Sequence, residues 1–175
     1  ENKISLVFEN NGKSGVVYHV YDLKHLDRIP RRYTVEAGKA LADEWNVGSD
    51  EGLYNLEVYG PNGYFQKFSG NLNHLEEPEI ALDYNHRKGG ISVSVNNTGE
   101  APVDIMVYSN AYDYGGPWSI SIAPGEKKKK NWLLKNSGNW YDFSVKVGDL
   151  YLRRFAGRVE TGKPGISDPA MATEI

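Results

Sequence analysis

The chain has 175 residues and a formal net charge of −3, so it carries no overall basic signature for nucleic acid. Cysteine is absent, which excludes disulfides and thiolate metal sites. No apolar run approaches the roughly 20 residues that a membrane-spanning helix needs, and the 19 Gly and 12 Tyr favour strands and tight turns over helices.

Apolar residues alternate with polar ones through most of the first 45 residues, which is the pattern of half-buried strands. The pattern predicts four strands, at Ile4–Phe8, Val16–Tyr21, Tyr33–Val35 and Lys39–Trp45. The polar, basic segment Asp22–Arg32 predicts a loop. Lys39–Trp45 is also compatible with a short helix, but its later counterpart Glu126–Trp132 is a lysine run with poor helical periodicity. We therefore predict strands at both places.

A hairpin follows at Gly52–Gly70. Tyr54, Leu56 and Val58 alternate with polar residues, and the turn Gly60-Pro61-Asn62-Gly63 leads into a returning strand at Tyr64–Phe68. Proline presets φ and glycine tolerates the positive φ that closes a tight hairpin.

The whole pattern recurs 87 positions later, without insertion or deletion. Identical residues fall on turn glycines, on inward apolar positions and on one tryptophan per copy, as in the pairs Asn10/Asn97, Gly38/Gly125, Trp45/Trp132, Tyr54/Tyr141 and Phe68/Phe155. These are the positions that a β fold constrains, so the chain contains an internal duplication. We call the two halves copy one and copy two.

About six short strands per copy, separated by turn signals, predict an all-β fold of two tandem small antiparallel β-sandwich domains of immunoglobulin-like type. A closed small barrel is the alternative. Trp45 and Trp132 are expected to anchor the cores between the sheets. We expect a first repeat at 1–73, a linker with a leading strand at 74–90, a second repeat at 91–160 and a partly disordered tail at 161–175.

The leading strand, Glu79–Tyr84, has no counterpart before Ile4. Either the sequence starts just after the equivalent strand of copy one, or this strand itself belongs to copy one. Because the sequence starts with Glu1 rather than Met, we expect a fragment of a longer protein. Part of the tail is expected to pack as an edge strand.

No catalytic constellation is recognisable. The four histidines show no spacing typical of metal ligands. The sequence contains no Gly-x-Ser-x-Gly nucleophile elbow, and its aspartates do not have the spacing of a Ca²⁺-binding loop. We therefore predict no catalytic residue, no metal and no cofactor in this chain.

Two surface features are candidate lipid or ligand contacts. The first is the basic run Lys127, Lys128, Lys129 and Lys130, which would attract anionic headgroups or, alternatively, protect a sheet edge from aggregation. The second is the loop Ala111–Trp118, whose Tyr112, Tyr114 and Trp118 would stack on sugars, insert at a membrane interface, dock on another domain or pack within the chain. The corresponding loop of copy one instead carries His25, Arg28, Arg31 and Arg32.

Three segments carry a family resemblance: YDLKHLDRIPRRYTVEAGKALADEW, VYGPNGYFQKFSG and LYLRRFAGRVETGKPGISDPAM. Together they resemble the C-terminal tandem domains of bacterial phosphocholine-preferring phospholipases C, over nearly the whole chain. In that family an N-terminal domain of phosphoesterase type, similar to alkaline and acid phosphatases, holds the catalytic residues, and none of them has a counterpart here.

The resemblance implies a parent enzyme, secreted or periplasmic in a Gram-negative bacterium, that cleaves phosphatidylcholine or sphingomyelin to phosphocholine and a lipid. This chain would be its accessory module, which stabilises the catalytic domain or presents it to a phospholipid membrane. A carbohydrate-binding or adhesion module is the alternative, which an exposed, coplanar trio of Tyr112, Tyr114 and Trp118 would favour. An enzyme in its own right is the third hypothesis, disfavoured by the missing constellation.

Overall fold

Strands make up nearly all of the regular structure in the computed structural model, which describes residues 2–74 and 78–171. The thirteen strands in this part of the chain are β1 Lys3–Asn10, β2 Val16–Asp22, β3 Arg31–Val35, β4 Lys39–Asn46, β5 Leu53–Tyr59, β6 Phe65–Asn71, β7 Glu79–Asn85, β8 Gly90–Asn96, β9 Val103–Ser109, β10 Trp118–Ile122, β11 Lys127–Leu133, β12 Trp140–Val147 and β13 Tyr151–Arg158. The predicted all-β class is confirmed, and Lys39–Trp45 is a strand.

The internal duplication is also confirmed. The strands β2 and β9, and likewise β3 and β10, begin and end at positions 87 residues apart, as do the 3₁₀ turns at Gly48–Asp50 and Lys135–Ser137. Each copy therefore contributes six equivalent strands, β1–β6 and β8–β13, and β7 is additional.

The two copies share one eight-stranded sheet, in the order β10-β9-β12-β13-β6-β5-β2-β3. β6 and β13 join the copies by antiparallel pairing from Leu152↔Ser69 to Ala156↔Phe65. Two smaller sheets together form the layer that covers the eight-stranded sheet. The sheet β1-β4 lies over copy one, and the sheet β11-β8-β7 lies over copy two. The predicted tandem sandwiches are thus fused through a common sheet, which the sequence pattern did not reveal.

The core of each sandwich consists of the alternate apolar residues that the strand pattern pointed inward. Trp45 and Trp132 lie buried at its centre, 4% and 7% exposed, as expected. Trp132 packs against Phe143 with ring centroids 4.5 Å apart, and Tyr33 lies between Phe8 and Trp45. Such aromatic pairs add to the area that they bury, because their edges and faces carry opposite partial charges.

A buried asparagine fixes the same turn in both copies. Asn97 donates its side-chain N–H groups to the carbonyl oxygens of Ala101 and Ile122, at 2.8 and 2.9 Å, and accepts from the Gly99 N–H at 3.0 Å. Asn10 makes the same three bonds to Ser14, Val35 and Gly12 in copy one. The amide thus replaces ladder hydrogen bonds where the chain leaves the first strand of each copy.

The leading strand belongs to copy two, because β7 pairs along its whole length with β8, from Glu79↔Asn96 to Asn85↔Gly90. The alternative assignment to copy one is therefore wrong. The expected edge strand in the tail is also wrong for residues 159–171, which form no strand. The tail instead packs through single hydrogen bonds, such as Trp140 Nε1 to the Ile166 carbonyl at 3.1 Å. Residues 172–175, for which disorder was predicted, lie outside the described residues.

Candidate functional site

The lysine run lies on β11, an edge strand of the three-stranded sheet, which fits its predicted role in edge protection. Side chains alternate across a strand, so the run does not form one compact patch. Lys128 and Lys130 point towards the eight-stranded sheet, whereas Lys127 and Lys129 lie on the exposed face.

Lys128 and Lys130 close the gap between β11 and the facing edge strand β10. The Lys128 ammonium donates to the Ser121 carbonyl at 2.6 Å, and the Lys130 ammonium lies 4.6 Å from the Trp118 ring centroid and 5.5 Å from that of Trp132. Below them lies a cleft of about 440 Å³ lined by core residues such as Val95. These two lysines therefore cover apolar core with their stems, and their charges are already engaged.

The exposed face of β11 is partly neutralised. Lys129 forms an ion pair with Asp83 of β7 at 2.9 Å, so that on this face Lys127 is the lysine with no ion pair to a described residue. The attraction of this face for anionic lipid is therefore weaker than four adjacent lysines suggest.

The three aromatic residues of the loop 110–117 and β10 face into the chain and are partly buried. Tyr112 donates its hydroxyl hydrogen to Asp168 at 2.6 Å, the Tyr114 hydroxyl meets that of Ser137 at 2.6 Å, and Trp118 packs edge-on against Trp132. Burial, followed by the bond to Asp168, raises the pKa of Tyr112. Of these rings, Trp118 contacts Lys130 of the lysine run, and the three partly buried rings do not form an exposed trio. Their contact with lipid or ligand stays a prediction.

The loop between β2 and β3, residues 23–30, presents a feature that the sequence analysis did not single out. Leu26 and Ile29 extend into solvent, 75% and 89% exposed. Asp22 starts the loop by accepting the Lys24 N–H at 3.1 Å, and two successive turns follow, closed by His25 N to Asp22 O and Arg28 N to His25 O. In this loop conformation neither aliphatic side chain is buried against the rest of the chain. We call residues 23–30 the docking loop, after the role that is proposed for it below.

The base of the docking loop is fixed to the rest of copy one. His25 Nε2 lies 2.9 Å from Asp50 of the 3₁₀ turn, and this bond holds the pKa of Asp50 below its usual value. The Leu23 N–H donates to the Asn55 carbonyl at 2.9 Å. The tip of the docking loop is therefore exposed and apolar, and hydrogen bonds hold its base in place.

Charged side chains of both signs lie on and next to the docking loop. Arg28 pairs with Asp22 at 3.3 Å and Arg31 with Asp43 at 2.8 Å, whereas the exposed Lys24 and Arg32 make no ion pair among residues 2–74 and 78–171. Asp27 is an exposed acid of the same loop, and Asp50 adds a carboxylate at its base. The loop thus combines two exposed aliphatic side chains with two cations that make no ion pair to a described residue, and both features favour contact with anionic lipid.

Beside the base of the loop, the outer face of the shared sheet forms a pocket of about 380 Å³ lined by His19, Tyr21, Leu23, Glu57 and Tyr59. The rings of Tyr21 and Tyr59 meet nearly at right angles, with centroids 5.5 Å apart. Burial and the bond to Glu57 raise the pKa of Tyr59 to about 12. Burial also acts to raise the pKa of Glu57, but hydrogen bonds from Lys67 and Tyr59 outweigh it and lower that pKa.

Other kinds of site find no support in the described part of the chain. No group of three or more His, Asp or Glu side chains there is arranged to hold a metal ion. No helix among the same residues is long and apolar enough to cross a membrane.

Two β-sandwiches fused through one sheet, with loops as the most divergent parts, define a tandem β-sandwich module. A family model described as bacterial phospholipase C, C-terminal domain, matches residues 1–71 and 78–158, one segment per copy. The chain belongs to this family of phospholipase C C-terminal domains.

Relatives with known names agree. The chain is 43% identical to a non-hemolytic phospholipase C of Pseudomonas aeruginosa, over 96% of this chain and 25% of the relative. It is 41% identical to a non-hemolytic phospholipase C of Burkholderia pseudomallei, over 98% of this chain and 25% of that protein. A hemolytic phospholipase C of Pseudomonas aeruginosa is 38% identical over 81% of this chain and 22% of the relative. The chain thus spans about a quarter of the length of these proteins.

Among solved structures, a bacterial ice-binding adhesin matches 91% of this chain and 58% of its own, with a TM-score of 0.31 and 11% identity. A similarity this low supports no conclusion about the function of this chain.

Proposed function

We propose that this chain is the non-catalytic accessory module of a secreted bacterial phospholipase C, and that it docks the enzyme on phospholipid membranes through the docking loop of copy one. The parent hydrolyses phosphatidylcholine or sphingomyelin to phosphocholine and a lipid. Its N-terminal phosphoesterase-type domain is the partner of this module and performs the chemistry. Secretion or periplasmic export accompanies this role, because the substrate lies in membranes.

The exposure of Leu26 and Ile29 carries the proposal. Moving a Leu or Ile side chain from water into an apolar phase is worth about 1.5–3 kcal/mol. With 75% and 89% of these residues exposed, their joint insertion contributes about 3 kcal/mol to membrane binding. Two such side chains on a held loop base would cost little ordering entropy on insertion.

Lys24 and Arg32 add an electrostatic contribution. Each Lys or Arg near an anionic surface contributes about 1 kcal/mol, and this contribution falls as salt screens it. Lys24 and Arg32 are placed to supply it without first breaking an ion pair to a described residue. The lysine run of copy two would be a weaker, second contact, because three of its four side chains already have partners.

Vesicle co-sedimentation tests the proposal, with vesicles of phosphatidylcholine alone and with added phosphatidylglycerol, at low and physiological salt. We expect the double variant Leu26→Ser/Ile29→Ser to bind about 100-fold more weakly, since each 1.4 kcal/mol corresponds to a factor of ten. The control is Leu133→Ser/Leu150→Ser, which removes two aliphatic side chains that are 59% and 47% exposed in copy two. This control should bind like the unaltered chain.

A third variant, with Lys127–Lys130 changed to serine, distinguishes the two surfaces. If it abolishes binding and the loop variant does not, docking occurs through copy two and the proposal is wrong. If the unaltered chain binds no vesicle, the module has no docking role and supports the catalytic domain only.

A further inference from the structure

The first strand of copy one, β1, and the first strand of copy two, β8, differ in their pairing. β8 is hydrogen-bonded on both sides, to β11 and to β7. Its equivalent in copy one, β1, pairs with β4 alone, and its other edge has no strand beside it in the described residues. Copy one therefore lacks the strand that β7 supplies to copy two.

A cleft of about 740 Å³ lies at this edge, between β1 on one side and β7 on the other. Leu6 of β1 and Leu82 and Tyr84 of β7 line its walls, and Tyr64 and Phe68 from the shared sheet lie among the residues that line it. The cleft is thus a gap in the layer that covers the eight-stranded sheet, lined by apolar and aromatic side chains together with polar ones such as Gln66 and Asp83.

The equivalent positions in copy two are buried. Ile105, Tyr151 and Phe155 are 1%, 5% and 3% exposed. Their equivalents in copy one lie 87 positions earlier and are only partly buried. The pairs are Tyr18 and Ile105, Tyr64 and Tyr151, and Phe68 and Phe155. Partly exposed core positions that are buried in the sister copy indicate that copy one lacks one covering element.

We propose that this cleft is a strand-binding groove, which an extended segment fills by pairing antiparallel with the free edge of β1. Its apolar side chains would alternate as Ile80, Leu82 and Tyr84 do in β7, and would face the shared sheet. The covering layer then becomes one six-stranded sheet, in the order β4-β1-new strand-β7-β8-β11. An exposed strand edge above an apolar floor is the usual acceptor for such strand addition.

The occupant is the polypeptide that immediately precedes β1 in the longer protein. β7 reaches β8 through the short turn 86–89, so the duplication places the equivalent strand directly before β1. The relatives extend well beyond the matched region, and the matching family model describes a C-terminal domain, so such proteins have polypeptide on this side. The inference does not depend on membrane docking, since the groove and the docking loop share no residue.

A graft tests the proposal. The sequence of Glu79–Gly89 is placed directly before Lys3, which reproduces the spacing of β7 to β8. We expect the β1 amides that do not bond to β4 to exchange with solvent at least about tenfold more slowly, because they gain strand partners. We also expect the melting temperature to rise. The control graft carries aspartate at its copies of Ile80, Leu82 and Tyr84 and should change neither quantity.

Equal exchange in the two grafted chains would overturn the proposal. A free peptide with the sequence Glu79–Asn85, added to the unaltered chain, gives the same readout where the graft disturbs folding. In the unaltered chain, the protection of the β1 amides could instead rise with protein concentration, together with a dimer in sedimentation. This result would assign the groove to a second copy of this chain, and the proposal that the preceding polypeptide fills it would be wrong.

Discussion

Replacement of the buried Asn97 by alanine measures how much one repeated turn contributes to the fold. The amide makes three hydrogen bonds, at 2.8, 2.9 and 3.0 Å, and Asn97 is 1% exposed. Each bond contributes about 1 kcal/mol, and the Ile122 carbonyl, buried with its bond, would be left without this partner at a further cost of at least about 1 kcal/mol. We therefore expect Asn97→Ala to lower the free energy of unfolding by about 4 kcal/mol.

Chemical and thermal denaturation, followed by tryptophan fluorescence and circular dichroism, provide the assay. For a chain of this size 1 kcal/mol corresponds to about 2–4 °C, so the melting temperature should fall by about 10 °C. Asn10→Ala removes the same three bonds in copy one, where Asn10 is 7% exposed, and we expect a somewhat smaller loss of about 3 kcal/mol. The exposed Asn11→Ala is the control and should change stability by less than about 0.5 kcal/mol.

Because the shared sheet joins the copies, both asparagine variants should shift one common transition. A loss below about 1 kcal/mol for Asn97→Ala would refute the argument from buried hydrogen bonds. Two separate transitions, each affected by only one variant, would refute the cooperative coupling of the copies through β6 and β13.

Two further predictions concern the seam between the copies and the outer face of the shared sheet. Gly63→Ala should destabilise by at least about 2 kcal/mol, because φ is +71° and the new Cβ would lie 2.7 Å from the Trp140 ring. Gly38→Ala, at φ +70° with nothing within 4 Å, should cost only about 1 kcal/mol, and equal melting temperatures would contradict the contact with Trp140. Because the folded pKa of Glu57 is lowered, the stability from its pair with Lys67 is present above the usual carboxyl pKa and is lost as pH falls through the lowered value. The difference in melting temperature between the unaltered chain and Glu57→Gln should therefore be present at neutral pH and vanish in acid; a difference independent of pH would contradict this sign.

The two copies keep the same framework and differ in the loop that joins their second and third strands. In copy two this loop brings Tyr112 and Tyr114 into hydrogen bonds within the chain. In copy one it exposes Leu26 and Ile29. Loops vary with little cost to a sandwich, because their side chains do not fill the core. The two copies thus share one framework, and the loop of copy one exposes the two aliphatic side chains on which the proposed docking rests.

The amino-acid sequence by itself determined the strands, the duplication and the buried tryptophans. Alternation of apolar residues is local, and burial of one face follows from it directly, so Trp45 and Trp132 were correctly assigned to the cores. The turn asparagines and glycines recurred at fixed spacing for the same reason, since each turn needs its own backbone geometry. The family resemblance likewise followed from residues read in order.

Only the tertiary structure decided how the copies combine and which surfaces remain available. Pairing of β6 with β13 depends on strand edges that are 80 or more positions apart, and no local pattern records it. Four consecutive lysines suggested one basic patch, but the pleat of β11 sends Lys128 and Lys130 against the facing sheet. Conversely, Leu26 and Ile29 look like two ordinary aliphatic residues in a polar segment. Their exposure is fixed by the turns of the loop and its bond to Asp50, because whether a side chain meets solvent or core depends on where the rest of the chain lies.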